Sequence, residues 1–175
     1  IKTPSNEILT LATILKQEYK DVFCYSESIS ENVRDDVLDA DIVCISIFTF
    51  NANRGYELAT YIRENSDAVI VFGGLHATLN WSETINYADY VLLGEGDETI
   101  LPLIDTIVLG NKPTFPGVVY SEGDKIVHTG KPEVPTIIDT NPNRNLMHNF
   151  KKMAGYNTIW PQVHASRSCP HNCDY

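Results

Sequence analysis

Near the end of the chain Cys169 and Cys173 stand with three residues between them, and His164 and His171 lie close by in sequence. Two thiolates at that spacing can close a loop round one soft metal centre, and the apolar stretch before them has the look of a strand that delivers the loop. Two cysteines alone do not complete a site. Zinc would need two more ligands, for which His164 and His171 are candidates, whereas a disulfide between the pair is sterically possible but disfavoured in a reducing compartment. Three upstream segments combine glycine with hydroxyl or amide side chains: Ser46 to Asn53, which includes Phe48, Thr49, Phe50 and Asn51; Gly73-Gly74-Leu75-His76-Ala77-Thr78; and Gly94-Glu95-Gly96-Asp97-Glu98-Thr99. Small residues let a backbone approach a large planar ligand, and hydroxyls supply a few directed hydrogen bonds. Each segment alone is also ordinary turn punctuation and helix capping. His76 could ligate a metal or shuttle a proton, but with no partner cluster nearby a locally packed or hydrogen-bonded ring is the simpler reading. Gly94-x-Gly96 is a partial dinucleotide fingerprint that lacks the third glycine and follows the wrong strand, so a nicotinamide cofactor is disfavoured.

The elements that must position these segments alternate. Apolar residues at Ile8, Leu11, Ala12, Leu15 and Tyr19 predict a helix over 5–19 with Ser5 as its N-cap. Val22 to Tyr25 reads as a strand, followed by a helix that Ser30 caps and that carries Val33, Val37 and Leu38. The nearly continuous apolar run over 41–50 predicts a strand covered on both faces and central in its sheet. After a polar loop, Asn51 to Gly55, comes a helix to about Asn65; then a buried strand from Ala68 to Phe72, a short helix from Trp81 to about Tyr87 with an Asn80/Glu83 capping box, and a strand from Asp89 to Leu93. Pro102 confines the start of the last helix to Asp97 or later, and Gly110 ends it.

This alternation predicts an α/β domain, a doubly wound and mostly parallel sheet of Rossmann-like or flavodoxin-like type with its ligand at the strands' carboxyl ends. Val118 to Ser121 and Lys125 to Thr129 read as an appended antiparallel hairpin, and the proline-bearing stretch 131–145 as a linker. The expected units are residues 1–112, 113–130 and 131–175. The order is unusual in that a helix comes first, so either a first strand lies upstream of Ile1 or the sheet has one strand fewer.

Composition bounds the partners. The 175 residues are 43% hydrophobic with a net charge of −10, which suits one globular domain plus a tail and opposes a polyanionic partner such as nucleic acid. Residues 1–140 hold 22 acidic and 9 basic residues against 1 and 4 in residues 141–175, and a boundary is placed near Asn141. Four cysteines, with Cys24 and Cys44 inside apolar runs as small buried hydrophobes, fit a reducing compartment. No run reaches a membrane-spanning length and no leader pattern opens the chain, so a cytoplasmic protein without membrane contact is expected.

The phrase Ser166-Arg167-Ser168-Cys169-Pro170-His171-Asn172-Cys173 resembles the opening of the C-x3-C-x2-C signature of radical S-adenosylmethionine enzymes, with Ser168 where glycine is usual. GGLHAT (73–78) and GEGDET (94–99) resemble the G-G-x-H-A-T and G-E-G-E phrases of the cobalamin-binding domain in B12-dependent members of that superfamily. The resemblance runs over roughly residues 4–175 and implies a B12-binding domain truncated within the cluster motif, with a radical S-adenosylmethionine barrel in cis. It further implies that Ser46, Phe48, Thr49, Asn51, Gly73, Gly74, His76, Ala77, Thr78, Gly94, Glu95 and Gly96 line the cobalamin, with Phe48, Phe50 and Trp81 as apolar walls. Cys169 and Cys173 would be two of three thiolate ligands of a [4Fe–4S] cluster. No D-x-H-x-x-G phrase is present, so base-off cobalamin without a histidine ligand from this domain is expected. The parent enzyme would cleave S-adenosylmethionine reductively, often for methyl transfer, whereas this segment would bind cofactor without catalysing. The alternatives are a scaffold of the same fold that binds no cobalamin, and an α/β module with a zinc-binding tail.

Overall fold

The computed structural model describes residues 5–27, 30, 32–135 and 140–150. Helix α1 (Asn6–Glu18) forms where the apolar spacing places it; Ser5 stands at the N-cap, but its hydroxyl bonds the Glu7 carboxylate at 2.6 Å instead of a backbone N–H. The strand expected from Val22 to Tyr25 is reduced to a single parallel bridge between Cys24 and Met147. Its backbone finds a partner in the late segment, where the His148 N–H donates to the Cys24 carbonyl at 2.7 Å, and not in the sheet. Helix α2 (Val33–Asp36) is shorter than expected.

Strand β1 (Ile42–Ser46) leads through a 3-10 turn at Thr49–Asn51 into α3 (Ala52–Asn65). The polar stretch expected as a loop is therefore largely helical, because the Asn51 side chain accepts the Phe48 N–H at 2.7 Å and closes the turn early. Next come β2 (Val69–Gly73), α4 (Leu75–Leu79), α5 (Trp81–Thr84) with a 3-10 turn at Ile85–Tyr87, β3 (Tyr90–Leu92) and α6 (Ile100–Val108). Helix α4 was not expected. Asn80 does not form the expected capping box; it links α4 to α5, and its Nδ2 turns back to the His76 carbonyl. Pro102 lies in the first turn of α6, where its missing N–H costs nothing, and Gly110 adopts φ 67° just beyond the helix.

The sheet order is β1-β2-β3-β4-β5, with β4 (Val118–Glu122) and β5 (Lys125–His128) as the hairpin. Strands β1, β2 and β3 are parallel, while β4 runs antiparallel to both neighbours. The hairpin continues the sheet: Val118 and Val119 are fully buried. Among the described residues β1 is an edge strand, not the central one. Its apolar run does not specify lateral position: Val43 and Ile45 pack into the core on one face, while Cys44 on the other is exposed, contrary to the buried role expected for it. Cys24 is buried, which pushes its thiol up to about 12 and keeps it protonated.

Both faces of the sheet are covered, as a doubly wound fold requires. Residues of α2, α3 and α4 pack with Val43, Ile70, Phe72 and Val91 on one side. On the other, α1 and α6 cover Val71, Leu92, Val118 and Tyr120. A smaller cluster joins Leu9 and Ala12 of α1 to Cys24, Met147 and Phe150, and the Asn143 N–H donates to Thr13 Oγ1 at 2.8 Å. The stretch read as a linker is thus laid against α1. No described helix is long and apolar enough to cross a membrane.

Gly55 sets the distance between α3 and the sheet, since a Cβ there would lie 2.5 Å from Ile47 Cγ2 and 3.3 Å from a Phe72 ring carbon. Gly55→Ala should cost about 1–3 kcal/mol in urea unfolding despite the better helix propensity of alanine. An unchanged midpoint would contradict this contact.

Candidate functional site

Because β1, β2 and β3 run side by side in one direction, the turns that leave them share one edge, where open α/β sheets place their ligands. Hydrogen bonds tie these turns together. The Ile47 N–H donates to the Gly73 carbonyl at 3.0 Å, the His76 N–H to the Ile47 carbonyl at 3.2 Å, and the Gly94 N–H to Thr78 Oγ1 at 3.0 Å. Thr78 in turn donates to the Gly74 carbonyl at 3.0 Å. The three phrases, far apart in sequence, form one rim.

Gly73 and Gly74 do different things there. Gly74 has φ 92°, and a Cβ on it would lie 2.7 Å from the Ile47 carbonyl oxygen and 2.8 Å from Ser46 Oγ, so it admits the protein's own backbone at closest range. A Cβ on Gly73 would meet nothing nearer than the Leu92 carbonyl at 3.8 Å, which leaves open space above the end of β2, beside the half-buried Ser46. Gly94 and Gly96 face side chains instead: Pro132 would lie 2.8 Å from a Cβ on Gly94, and Leu92 and Leu11 at 3.1 and 3.4 Å from one on Gly96. The open part of the rim is therefore the β1–β2 side.

Apolar side chains stand on that side. Phe50 is 88% exposed and stacks on Phe48 with centroids 5.7 Å apart, while Leu75 and Leu79, one helical turn apart on α4, are 58% and 70% exposed. Leu75 falls within the expected Gly73–Thr78 segment, whereas Leu79 lies beyond it, although the i, i+4 spacing of the two was a usable signal. Trp81, expected as a wall, instead meets His128 of β5 edge-on at 5.4 Å. Ala77 is fully buried in the core and supports the turn from within; Glu95 is exposed on the third turn.

Behind the rim lies a polar chain. His76 is 7% exposed; its Nδ1 is 3.2 Å from Thr49 Oγ1 and its Nε2 3.2 Å from Tyr56 Oη. Tyr56 Oη is 3.1 Å from Thr84 Oγ1, which donates to the Asn80 carbonyl at 3.0 Å. Burial raises the Tyr56 pKa, so the hydroxyl keeps its proton. Nothing in the sequence pointed to Tyr56 or Thr84, since an aromatic on the buried face of a helix reads as core.

The surface also has a concavity of about 470 Å³ on the α2–α3 flank, lined by Glu27, Ser30, Asn32, Arg34, Arg54 and Tyr61. Its charges already engage one another, with Arg54 forked onto Glu27 at 2.7 Å and Arg34 lying 4.0 Å over the Tyr61 ring, and it touches none of the glycine turns. The glycine rim is the better candidate on chemistry. Among the described residues no group of three or more His, Cys, Asp or Glu is gathered to hold a metal ion. Cys169 and Cys173 lie outside the described residues.

A parallel α/β sheet with glycine turns sharing its carboxyl edge defines a cofactor-binding domain, and the family model for the B12 binding domain matches residues 2–104. The chain belongs to that family. It is 27% identical over 143 residues to the bacteriochlorophyllide d C-8(2)-methyltransferase of Chlorobaculum tepidum, covering 78% of this chain and 28% of that protein. It is 24% identical over 161 residues to the cobalamin-dependent radical SAM methyltransferase TokK of Streptomyces tokunonensis, covering 83% of this chain and 23% of that one. Among solved structures it shares its fold with the radical S-adenosylmethionine methyltransferase TsrM of Kitasatospora setae with cobalamin and a [4Fe-4S] cluster bound, at TM-score 0.63 and 17% identity over 83% of this chain and 29% of that one. The cobalamin-dependent S-adenosylmethionine radical enzyme OxsB, with aqua-cobalamin and S-adenosylmethionine bound, gives 0.65 and 17% over 77% and 20%. The chain thus spans less than a third of the length of each of these relatives.

Tyr56→Phe removes the hydroxyl that partners both His76 and Thr84, and should cost about 1–3 kcal/mol in thermal or urea unfolding. A variant as stable as the parent would mean that the buried chain contributes nothing to the fold.

Proposed function

We propose that this chain holds cobalamin on the β1–β2 side of the rim, as the cofactor-binding part of a radical S-adenosylmethionine enzyme. The observation that carries the reading is the uncrowded Gly73 at the end of β2, on a rim that also bears hydroxyls and exposed apolar side chains, in a chain of the B12-binding family. The residues present fit a corrin. Gly73 allows close approach, Ser46 and Thr49 offer hydrogen bonds, and Phe48, Phe50, Leu75 and Leu79 offer an apolar ledge of the kind that gains from being covered. Asn51 shapes the first turn through its bond to Phe48, and Thr78 locks the second turn to Gly94. When bound, cobalamin supplies a cobalt centre able to carry a methyl group.

Both His76 ring nitrogens are engaged inside the protein, which supports the absence of a cobalt ligand from His76; the base-off state of the cofactor is part of the proposal. In the parent protein Cys169 and Cys173 would hold two corners of a [4Fe–4S] cluster, S-adenosylmethionine would bind in a barrel in cis, and the setting would be the reducing cytoplasm. The described domain would bind and position, with the chemistry done elsewhere in the parent.

A second reading is a scaffold of the same fold without cobalamin, and the filling of the Gly94 and Gly96 turns by Pro132 and Leu11 favours it. Loading with hydroxocobalamin followed by gel filtration separates the two. The cobalamin reading expects a retained corrin absorbance near one per chain, weakened about tenfold or more when Leu75 and Leu79 are both replaced by aspartate, because a charge would then be buried against the ligand. Absence of retained corrin at micromolar protein would leave the scaffold.

A further inference from the structure

We infer that His76 fixes the polarity of the Thr49 hydroxyl, so that Thr49 presents only lone pairs at the rim and selects a neutral N–H donor of the carboxamide type from the ligand. This rests on the reading of the rim as a corrin seat, since the corrin periphery carries primary carboxamides. The Asn80 carbonyl can only accept, so the Thr84 hydroxyl, 3.0 Å away, donates to it. With that proton committed, Thr84 Oγ1 is the acceptor in its 3.1 Å contact with Tyr56, and the Tyr56 proton points to Thr84. Tyr56 Oη then has only lone pairs to offer His76, which places the imidazole proton on Nε2. A neutral imidazole protonated at Nε2 bears a lone pair on Nδ1, so the Thr49 hydroxyl donates inward across 3.2 Å. The Asn80 Nδ2 contact to the same nitrogen, at 3.4 Å, agrees with an acceptor there.

Thr49 is exposed at the rim, and with its proton turned inward its hydroxyl would meet a ligand only as an acceptor. A carboxamide N–H meets that oxygen favourably, whereas a carboxylate in its place sets lone pair against lone pair. The opposite tautomer would reverse the preference: with the proton on Nδ1, Thr49 turns outward as a donor and favours a carbonyl or carboxylate. His76 is in this sense a positioning residue, acting through Thr49 without touching the ligand.

Two measurements test the inference. Long-range ¹H–¹⁵N correlation of the imidazole rings in the unliganded protein should show His76 as the neutral Nε2–H tautomer; an Nδ1–H or doubly protonated ring overturns it. Titration with hydroxocobalamin and with its three propionamide-hydrolysed monocarboxylates should then show at least one acid bound about tenfold more weakly than the amide, the scale set by one mismatched hydrogen bond. That ratio should collapse in Thr49→Val and in His76→Leu, and survive in His76→Gln, whose carboxamide offers an acceptor and a donor at similar spacing. Equal binding of all four corrins, or a ratio unchanged in Thr49→Val, overturns the inference while cobalamin binding stands. Retention of no corrin overturns the corrin reading, on which the tautomer spectrum does not depend, so the two failures are distinct.

Discussion

The closest backbone approach at the rim, Gly74 against the end of β1, governs the rest of the site. At that point the β2–α4 turn lies close enough to the Ile47 carbonyl and Ser46 hydroxyl that any side chain would collide. The approach aligns the ends of the first two strands through the Ile47–Gly73 and His76–Ile47 hydrogen bonds and delivers His76 into the interior beneath Thr49. Thr78, one turn further along α4, carries the same constraint to Gly94 and therefore to β3. A rim built from three separate turns behaves as one surface because each turn is hydrogen-bonded to the next.

Polar and apolar roles are divided by depth. The inner layer is a polar chain in which buried Thr84, Tyr56 and His76 run between the Asn80 carbonyl and the exposed Thr49, each within hydrogen-bond distance of the next, as low-dielectric surroundings demand. The outer layer is apolar and uncovered, with Phe50, Leu75 and Leu79 presenting surface that a planar ligand could take from water. In the proposed reading, a polar floor beneath an exposed apolar ledge would orient a large amphipathic molecule, the ledge supplying affinity and the floor direction.

The segment after the hairpin contributes more than a connection. Pro132 rests between Gly94 and Gly117, and Met147 and Phe150 join Leu9, Ala12 and Cys24 in a cluster of their own. The path by which the chain leaves the domain is thus held by packing against the third turn and α1.

Much of this was legible from residue order. The periods of α1, α3 and α6, the apolar runs of β1 and β2, and the Gly123-Asp124 hairpin turn follow from local geometry, and local geometry is what short-range patterns encode. The three glycine phrases announced a shared rim because parallel strands must end on the same side. Other features depended on which surfaces meet. An apolar run predicted cover on both faces of β1 but not that β1 lies at an edge with Cys44 exposed, and Val22 to Tyr25 had the composition of a strand without a neighbour to pair with. His76 read as a loop residue and became the centre of a buried network, while Gly94 and Gly96, which looked like openings, hold Pro132 and Leu11. The sequence by itself determined the elements and their direction, because these depend on neighbours a few residues apart. Which openings stayed open was decided by the tertiary structure, because it depends on side chains that arrive from more than thirty residues away.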